Sequence, residues 1–291
     1  MTRLDAAGAW RLIRALDPGS PRTTVLDPDP ESGDAEPARL ELVPDGGWTS
    51  VPEPTDEARD LLDLLLPFRR APRCVIGQLG QSVDGRIATA SGHSHYINGP
   101  EDILRLHRLR ALSGAVVVGA GTAVADDPRL TVREAPGPNP VRVVLDPRGR
   151  VPGDRRVFRD GAAPTLWIRG AGTRAETDGA LPAHVRILEL PLTEDGIFAP
   201  EAVVELLATR GHTHVLVEGG GRTVSSFLAA GALDRLHLSV APLILGSGRP
   251  GISLPPIDRL DEALRPRVRH VRLGRDLVFD LDLRTSGDPA G

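Results

Sequence analysis

Lysine is absent from this 291-residue chain, so its 35 positively charged side chains are all arginines. A lysine Schiff base is therefore excluded, and any phosphate must be bound by arginines and backbone amides. The single cysteine, Cys74, leaves no disulfide framework and no cysteine-based zinc site. Aromatic residues make up only 3% of the chain, so the core has to be built from aliphatic side chains.

The sequence also lacks long apolar runs and an excess of basic charge. No segment approaches the roughly 20 apolar residues of a membrane span, and the N-terminus has no signal-peptide core. A net charge of −4 and a pI near 6.1 provide no basic field for nucleic acid. Hydrophobic content of 40% and charged content of 25% are ordinary for a globular protein. We therefore expect a cytoplasmic enzyme or binding protein that binds neither membrane nor nucleic acid.

Patterns of strands and helices divide the chain into two regions. Residues 1–70 differ in pattern from the rest and include a segment rich in Pro, Asp and Glu from Pro28 to Pro37, which indicates an accessory region of unknown role. From residue 71 to 285, β-branched apolar runs alternate with helical segments, which is typical of an α/β sheet. Two strands flanking Gly274-Arg275-Asp276 predict a C-terminal antiparallel hairpin, followed by a tail at 286–291. We expect a mixed, mainly parallel sheet.

Three local patterns predict where helices begin and end in the chain. Thr55 is the expected cap of a helix that Pro67 closes. Asn98 is the expected cap of a second helix, which runs to about Ser113. A third helix is expected to begin near Thr223.

The first candidate site lies after the buried strand Ala115–Val118. A glycine turn follows that strand, and the chain then presents Thr122, the paired acids Asp126 and Asp127, and Arg133. Ligands of open α/β sheets bind beyond the carboxyl ends of the strands, so a hydroxyl, two acids and an arginine there form a candidate site. Alternatively, Asp126-Asp127-Pro128 only caps and turns the chain.

The second candidate site is a strand, Val215–Val217, that runs into Glu218 and three consecutive glycines. Backbone amides at the start of a helix attract phosphate, and glycines let it approach closely. The spacing is neither a Rossmann fingerprint nor a Walker loop. Glu218 would lie at the same sheet edge as Asp126, or it would brace the glycine turn by accepting backbone N–H bonds.

Other polar residues allow two interpretations each. Arg148 and Arg150 follow a strand and could meet an adenosine 2′-phosphate, or they belong to a solvated turn. Arg110 could bind an anion or merely complement a helix dipole. Two histidine pairs, His93/His95 and His212/His214, have strand spacing but lack ligand partners, so we expect no metal.

Motifs from both candidate sites and their surroundings occur in order along residues 73–283: Ser82-Val83-Asp84-Gly85-Arg86, Ala90-Ser91-Gly92-His93-Ser94, Gly121-Thr122, Ala125-Asp126-Asp127-Pro128-Arg129-Leu130-Thr131-Val132-Arg133, Val144-Leu145-Asp146, Val217-Glu218-Gly219-Gly220, Ala241-Pro242 and Leu245-Gly246. This series resembles the reductase domain of the riboflavin-biosynthesis family. The resemblance implies a dihydrofolate-reductase-like three-layer α/β fold, with helices on both faces of the sheet, that is commonly homodimeric. It also implies NADPH-dependent reduction of the ribosylamino group of a phosphoribosylamino-pyrimidine to ribitylamino.

The resemblance assigns roles to individual positions. The substrate, chiefly its 5-phosphate, is expected at Ser94, Arg110, Leu130 (through its backbone) and Arg133. Glu218 is a further substrate contact, and Asp126 and Glu218 are the expected catalytic residues. NADPH is expected at Gly80, Tyr96, Thr122, Asp126, Pro147, Gly220, Gly221, Arg222, Thr223, Val224, Ser225 and Ser226.

Departures from the family pattern affect the expected substrate. Gln78 stands where many bifunctional bacterial enzymes have Lys. Archaeal stand-alone reductases resemble this sequence more, with an amide at that position, so the substrate could be the 2,5-diamino pyrimidine. An amide both donates and accepts, so we expect Gln78 to suit an amino or an oxo group by flipping. Arg222 replaces a residue that is usually small or Pro. Residues 1–70 lack the zinc motifs of the deaminase half.

Two other functions stay open at this point. A dihydrofolate-reductase-like oxidoreductase could act on another phosphorylated heterocycle, because fold does not fix substrate. The chain could also be a non-catalytic nucleotide-binding sensor.

Overall fold

The computed structural model describes residues 3–19, 24–26, 37–43, 46–94, 97–174 and 181–286. The chain divides into two compact units, residues 1–74 and 75–291. The sequence places this boundary four residues earlier, after residue 70. Most of the predicted tail lies outside the described residues.

The first unit holds two helices and a small antiparallel sheet: α1 (Ala6–Ala15), β1 (Thr24–Leu26), β2 (Arg39–Leu42), β3 (Trp48–Val51) and α2 (Asp56–Arg70). The Thr55 side chain caps α2 as predicted. The predicted end at Pro67 is wrong, because α2 continues through it to Arg70. Pro67 removes one helical hydrogen bond, but Phe68 is fully buried and Arg70 donates to the Val43 and Gly47 carbonyls. These tertiary contacts hold the last turn.

The second unit comprises eleven strands and five helices in its described part: β4 (Cys74–Ser82), β5 (Arg86–Thr89), α3 (Pro100–Leu112), β6 (Ala115–Gly119), α4 (Ala120–Asp126), β7 (Val141–Asp146), α5 (Arg156–Arg159), β8 (Thr165–Gly170), β9 (Val185–Leu190), α6 (Pro200–Ala208), β10 (His214–Val217), α7 (Gly221–Ala229), β11 (Arg235–Ala241), β12 (Gly248–Pro250), β13 (Pro266–Leu273) and β14 (Asp276–Ser286). A 3₁₀ turn at Leu260–Glu262 precedes the last hairpin.

Nine of these strands form one mixed sheet in the order β13-β14-β11-β4-β10-β6-β7-β8-β9. The pairs β11–β4, β10–β6, β6–β7, β7–β8 and β8–β9 are parallel. Strand β14 pairs antiparallel with both β11 and β13, which confirms the C-terminal hairpin. The expectation of an α/β fold with a mixed, mainly parallel sheet is therefore confirmed.

Helices cover both faces of this sheet. On one face, α6 and α7 contribute Val203, Leu207 and Phe227 to an apolar cluster with alternate residues of the central strands, such as Val117. The residues between them along each strand face the helices on the other side of the sheet, because strand side chains alternate between faces. Trp167 of β8 packs on Phe158 of α5, with ring centroids 4.6 Å apart. The predicted layering is confirmed.

Two local predictions near the cleft are wrong. The chain forms helix α4 directly after Gly119, where a tight glycine turn was expected, so Thr122 and Asp126 lie on a helix. The cap of α3 is Gly99, and Asn98 instead donates from Nδ2 to the Ser239 hydroxyl, 2.9 Å away. The Asn98 side chain is bonded to β11 in this way and does not cap the helix.

A two-stranded antiparallel ribbon, β5 with β12, stands beside the main sheet. Among the residues described above, none of the helices combines the length and apolar character needed to cross a bilayer.

Candidate active site

A cleft of about 1120 Å³ opens at the sheet edge where β6 and β10 end. Most of the predicted site residues line it: Gln78, Gly80, Ser94, Thr122, Asp126, Pro147, Glu218, Gly220, Gly221, Arg222, Thr223 and Ser226. A second pocket of about 450 Å³ shares Ser94 and Asp126 with the cleft. The two cavities therefore adjoin, and one ligand could extend from the first into the second.

The second pocket brings together the four residues expected to hold the substrate phosphate: Ser94, Arg110, Leu130 and Arg133. Arg110 and Arg133 come from different elements, yet each donates from Nη1 to the Thr131 carbonyl oxygen at 3.2 Å. Their guanidinium groups thus converge on one point. Arg129 and Arg156 line the same pocket, so its walls carry a concentrated positive charge.

Like charges make this pocket electrostatically unfavourable without an anion. Burial lowers the pKa of Arg133, and the guanidinium groups of Arg110 and Arg129 lower it further. A phosphate dianion would relieve that repulsion and accept charge-assisted hydrogen bonds. The arrangement thus favours an anionic ligand group.

His107 holds the backbone of Arg133 in this pocket. Its Nδ1 accepts a hydrogen bond from the Arg133 amide at 2.9 Å. Burial and the neighbouring Arg110 and Arg133 lower the pKa of His107 to about 4, so the ring is neutral at pH 7 and its Nδ1 remains an acceptor.

Arg110 and Glu218 form a buried bidentate ion pair. Nε and Nη2 of Arg110 each donate to one carboxylate oxygen of Glu218 at 2.7 Å. Burial lowers the pKa of Arg110, but the Glu218 carboxylate outweighs that effect and raises it above the ordinary value. Both oxygens of the Glu218 carboxylate are therefore occupied as acceptors of the Arg110 donors. Arg110 keeps only part of its donor set for a ligand.

Asp126 and Asp127 differ in their surroundings. Asp127 has a left-handed φ of 43°, and its Oδ1 accepts from the Arg156 amide at 2.7 Å, where α5 begins. Asp127 therefore shapes the loop. Asp126 is exposed and lines both cavities.

Leu130 also adopts a left-handed backbone, with φ of 55°. A leucine rarely occupies this region, and holding it there costs roughly 1–3 kcal/mol. The Leu130 side chain is buried, and the loop around it borders the arginine pocket. Strain of this kind is common where backbone groups contact ligands.

The glycine turn after β10 is tied to α4. The Gly220 amide donates to the Thr122 hydroxyl at 2.9 Å, so Gly220 has no free amide for a phosphate. A side chain at Gly221 would collide with the Gly251 carbonyl, 2.0 Å from an ideal Cβ. The glycines thus allow close packing within the protein, and the amides at the start of α7, such as that of Arg222, are left for a ligand.

Two residues of the predicted cofactor segment do not reach the cleft. Val224 is fully buried in the apolar core, and the Ser225 hydroxyl accepts from the Ser253 amide. Helical periodicity explains this, because Thr223 and Ser226 lie on the cleft side of α7 while the residues between them face the core. The assignment of Val224 and Ser225 to the cofactor therefore needs correction.

Gly80 leaves room for Asn98 at the cleft floor. An ideal Cβ at Gly80 would lie 2.0 Å from the Asn98 Oδ1. Tyr96, another predicted cofactor residue, lies outside the described residues.

The Gln78 amide has a fixed orientation. Its Oε1 accepts from Nη2 of Arg105 at 2.7 Å, and both side chains are buried. An arginine only donates, so the amide oxygen has to face Arg105, and the expectation that Gln78 flips is wrong. Arg105 was not predicted as a site residue, although Asp102-x-x-Arg105 has the i, i+3 spacing of an ion pair within a helix.

The charges along the cleft fit a dinucleotide that carries several phosphates. Among the described residues, four arginines line it: Arg148, Arg150, Arg222 and Arg249. Of the three carboxylates in the described part of its lining, Asp102 pairs with Arg105 and Glu218 pairs with Arg110. The cleft thus has excess positive charge in a chain of net charge −4. Within the described ranges, no group of three His, Cys, Asp or Glu side chains could hold a metal ion.

Comparison with known proteins gives a consistent result. The family model of the RibD C-terminal domain matches residues 73–279. Riboflavin biosynthesis protein RibD of Aquifex aeolicus is 34% identical over 77% of this chain and 62% of its own length. The 2,5-diamino-6-ribosylamino-4(3H)-pyrimidinone 5′-phosphate reductase of Methanothermobacter thermautotrophicus is 35% identical over 72% of this chain and 98% of its own length.

A solved structure agrees with these sequence matches. The diaminohydroxyphosphoribosylaminopyrimidine deaminase/5-amino-6-(5-phosphoribosylamino)uracil reductase of Thermotoga maritima superposes with a TM-score of 0.61 and 26% identity. The match covers 78% of this chain and 61% of that one. This chain therefore spans about three fifths of the length of these two bacterial relatives.

Proposed function

The chain belongs to the RibD C-terminal domain family, and on that basis we propose that it is a riboflavin-pathway reductase that uses NADPH. Its substrate is a phosphoribosylamino-pyrimidine, whose ribosylamino group becomes ribitylamino. The observation that carries this proposal is the adjoining pair of cavities. A large cleft lined by arginines suits a dinucleotide, and the arginine pocket suits a sugar phosphate.

The residues at the junction of the two cavities would handle the reacting carbon. The ribose ring opens to an imine-like C1′, and the nicotinamide, when bound, supplies the hydride to that carbon. The exocyclic nitrogen must then gain a proton, and the released ring oxygen becomes a hydroxyl. Asp126 lies at this junction and is our candidate to deliver or relay the proton.

The other residues would bind and orient the substrate. Arg133, with Arg129 and Ser94 beside it, holds the 5-phosphate and so places C1′ in the cleft. Glu218, held in place by Arg110, accepts hydrogen bonds from the sugar or the base. Orienting the reactants in this way accounts for much of the rate enhancement of an enzyme.

Arg148 and Arg150 support a preference for NADPH over NADH. They line the cleft just after β7, on exposed positions where an adenosine 2′-phosphate could be held. We also propose a homodimer, as the family resemblance implies, which sedimentation analysis would test.

The direct test is NADPH oxidation, followed by absorbance, with each of the two candidate pyrimidine phosphates. We expect turnover with at least one of them and a much higher KM with NADH. An Arg148→Gln/Arg150→Gln variant should lose the preference for NADPH. Oxidation of NADPH only with another phosphorylated heterocycle would favour a different substrate, and binding without oxidation would favour a nucleotide sensor.

A further inference from the structure

A chain of buried polar side chains leads from the cleft into the sheet. It begins at Gln78 on β4, passes to Arg105 on α3, and continues to His237 on β11 and Asp280 on β14. None of these four side chains is more than 7% exposed. Only Gln78 among them lines the cleft.

Arg105 is held on two further sides besides its bond to Gln78. Its Nε donates to Oδ1 of Asp102 at 2.7 Å, and its Nη1 lies 3.0 Å from Nδ1 of His237. Because arginine only donates, His237 Nδ1 must be the acceptor, and its proton sits on Nε2, which lies 3.3 Å from the Asp280 carboxylate. Arg105 is therefore fixed by three acceptors.

This anchoring determines what Gln78 offers to a ligand. If the amide flipped, its NH₂ group would face the Arg105 donors with no acceptor between them. With the oxygen bound to Arg105, the nitrogen is the amide atom left to face the cleft. Gln78 is therefore a hydrogen-bond donor of fixed orientation.

We propose that Arg105 is a positioning residue that makes the site select a base carbonyl at Gln78. This inference rests on the proposed function. The two candidate pyrimidines differ at one position, where the deaminated substrate has an oxo group and the diamino substrate has an amino group. The proposal places this substituent against the Gln78 amide. A fixed donor pairs with the oxo group and opposes the amino group, so the deaminated pyrimidine is the preferred substrate. The archaeal resemblance alone favours the opposite choice.

Gln78→Glu is the sharpest test, because it reverses the hydrogen-bond character of the site without removing the bond to Arg105. One carboxylate oxygen still accepts from Arg105, while the other presents an acceptor to the base. The measurement is kcat/KM for both pyrimidines at saturating NADPH. We expect the ratio to shift toward the diamino substrate by roughly 10- to 100-fold.

Arg105→Met tests the positioning role itself. Without its donors, the Gln78 amide can rotate, and the ratio of the two kcat/KM values should approach one. Arg105→Lys should restore part of the preference, since an ammonium can donate to the Gln78 oxygen. Arg108→Met, one turn along α3, is the matched control and should keep the wild-type ratio.

Thermal melts identify variants that fail to fold. If Arg105→Met is among them, the kcat/KM ratio of Gln78→Glu alone tests the proposal. A wild-type preference for the diamino substrate, or an unchanged ratio in Gln78→Glu, would overturn the inference. A wild-type protein that reduces neither pyrimidine would instead overturn the proposed function.

Discussion

Glu218 shows how a partner decides the role of a residue. From the sequence, this carboxylate could act as an acid, contact the substrate or brace the glycine turn. Both oxygens of its buried carboxylate accept from Arg110, which makes it an acceptor in this pair. Removing either partner would strand a buried charge, which typically costs about 3–5 kcal/mol of stability. Variants of this pair therefore report on folding as much as on catalysis.

Arg133 gives a cleaner test of phosphate recognition, because it is exposed and pairs with no carboxylate that the structure records. Arg133→Gln should raise KM for the phosphorylated substrate by roughly 10- to 100-fold, as expected for one lost charge-assisted bond, with little change in kcat. Arg186→Gln, an exposed change on β9, is the control. Equal KM values in the two variants would show that Arg133 does not hold the phosphate.

Substitutions of the two adjacent aspartates, Asp126 and Asp127, should have different effects on kinetics and stability. Asp126→Asn should lower kcat or weaken cofactor binding with an unchanged melting temperature, because Asp126 lines both cavities. Asp127→Asn should instead weaken the cap on α5 by about 1 kcal/mol and spare kcat. Steady-state kinetics together with thermal melts distinguish the variants, and the reverse pattern would exchange their roles.

His107 predicts a pH dependence of stability. Its folded pKa of about 4 lies below the ordinary value of 6.5, so between these values the unfolded chain binds more protons than the folded one. The free energy of unfolding should therefore fall as pH is lowered through that window. Denaturant titrations at pH 5 and 7 measure the slope. His107→Gln should reduce it, by at most about 1.4 kcal/mol per pH unit, and an identical slope would exclude this contribution.

At the scale of elements, the cofactor cleft depends on how α4 is joined to the start of α7. Thr122→Val keeps the shape of the side chain but removes the acceptor for the Gly220 amide. We expect KM for NADPH to rise about tenfold, because an unpaired amide would displace the glycine turn. Thr122→Ser retains the hydroxyl and should behave like the wild type. Matching KM values for the Val and Ser variants would show that the bond does not position the turn.

The strands were predictable, while several connections were not. Runs such as Ala115–Val118 and Val215–Val217 are so apolar and β-branched that their burial follows from composition. Helix α4 was missed because glycines open it, and α2 passes through Pro67 because tertiary contacts override the local preference. Most of the residues that the motif resemblance predicted for the site line the cleft.

What the sequence could not provide is the pairing of side chains distant along the chain. Arg105 reaches Gln78, 27 residues earlier, and His237, 132 residues later. No local pattern encodes such contacts, because sheet topology creates them. The same limitation hid the Arg110–Glu218 pair.

At the scale of the whole molecule, a chain of net charge −4 concentrates arginine side chains around one cleft. This uneven distribution draws anionic ligands to the site. The absence of lysine means that every such contact is a planar guanidinium, suited to bidentate contact with phosphates. Residues 1–74 form their own unit, and their role is independent of this account.

The central claim is hydride transfer to C1′ of the substrate, and isotope labelling tests it most directly. NADPH deuterated in turn at each C4 position would be incubated with the protein and a phosphoribosylamino-pyrimidine, and the product examined by mass spectrometry and NMR. The account predicts that one of the two labels is transferred and places a single deuterium on C1′ of a ribitylamino product. Deuterium on the pyrimidine ring, or no transfer from either label while both ligands bind, would contradict it.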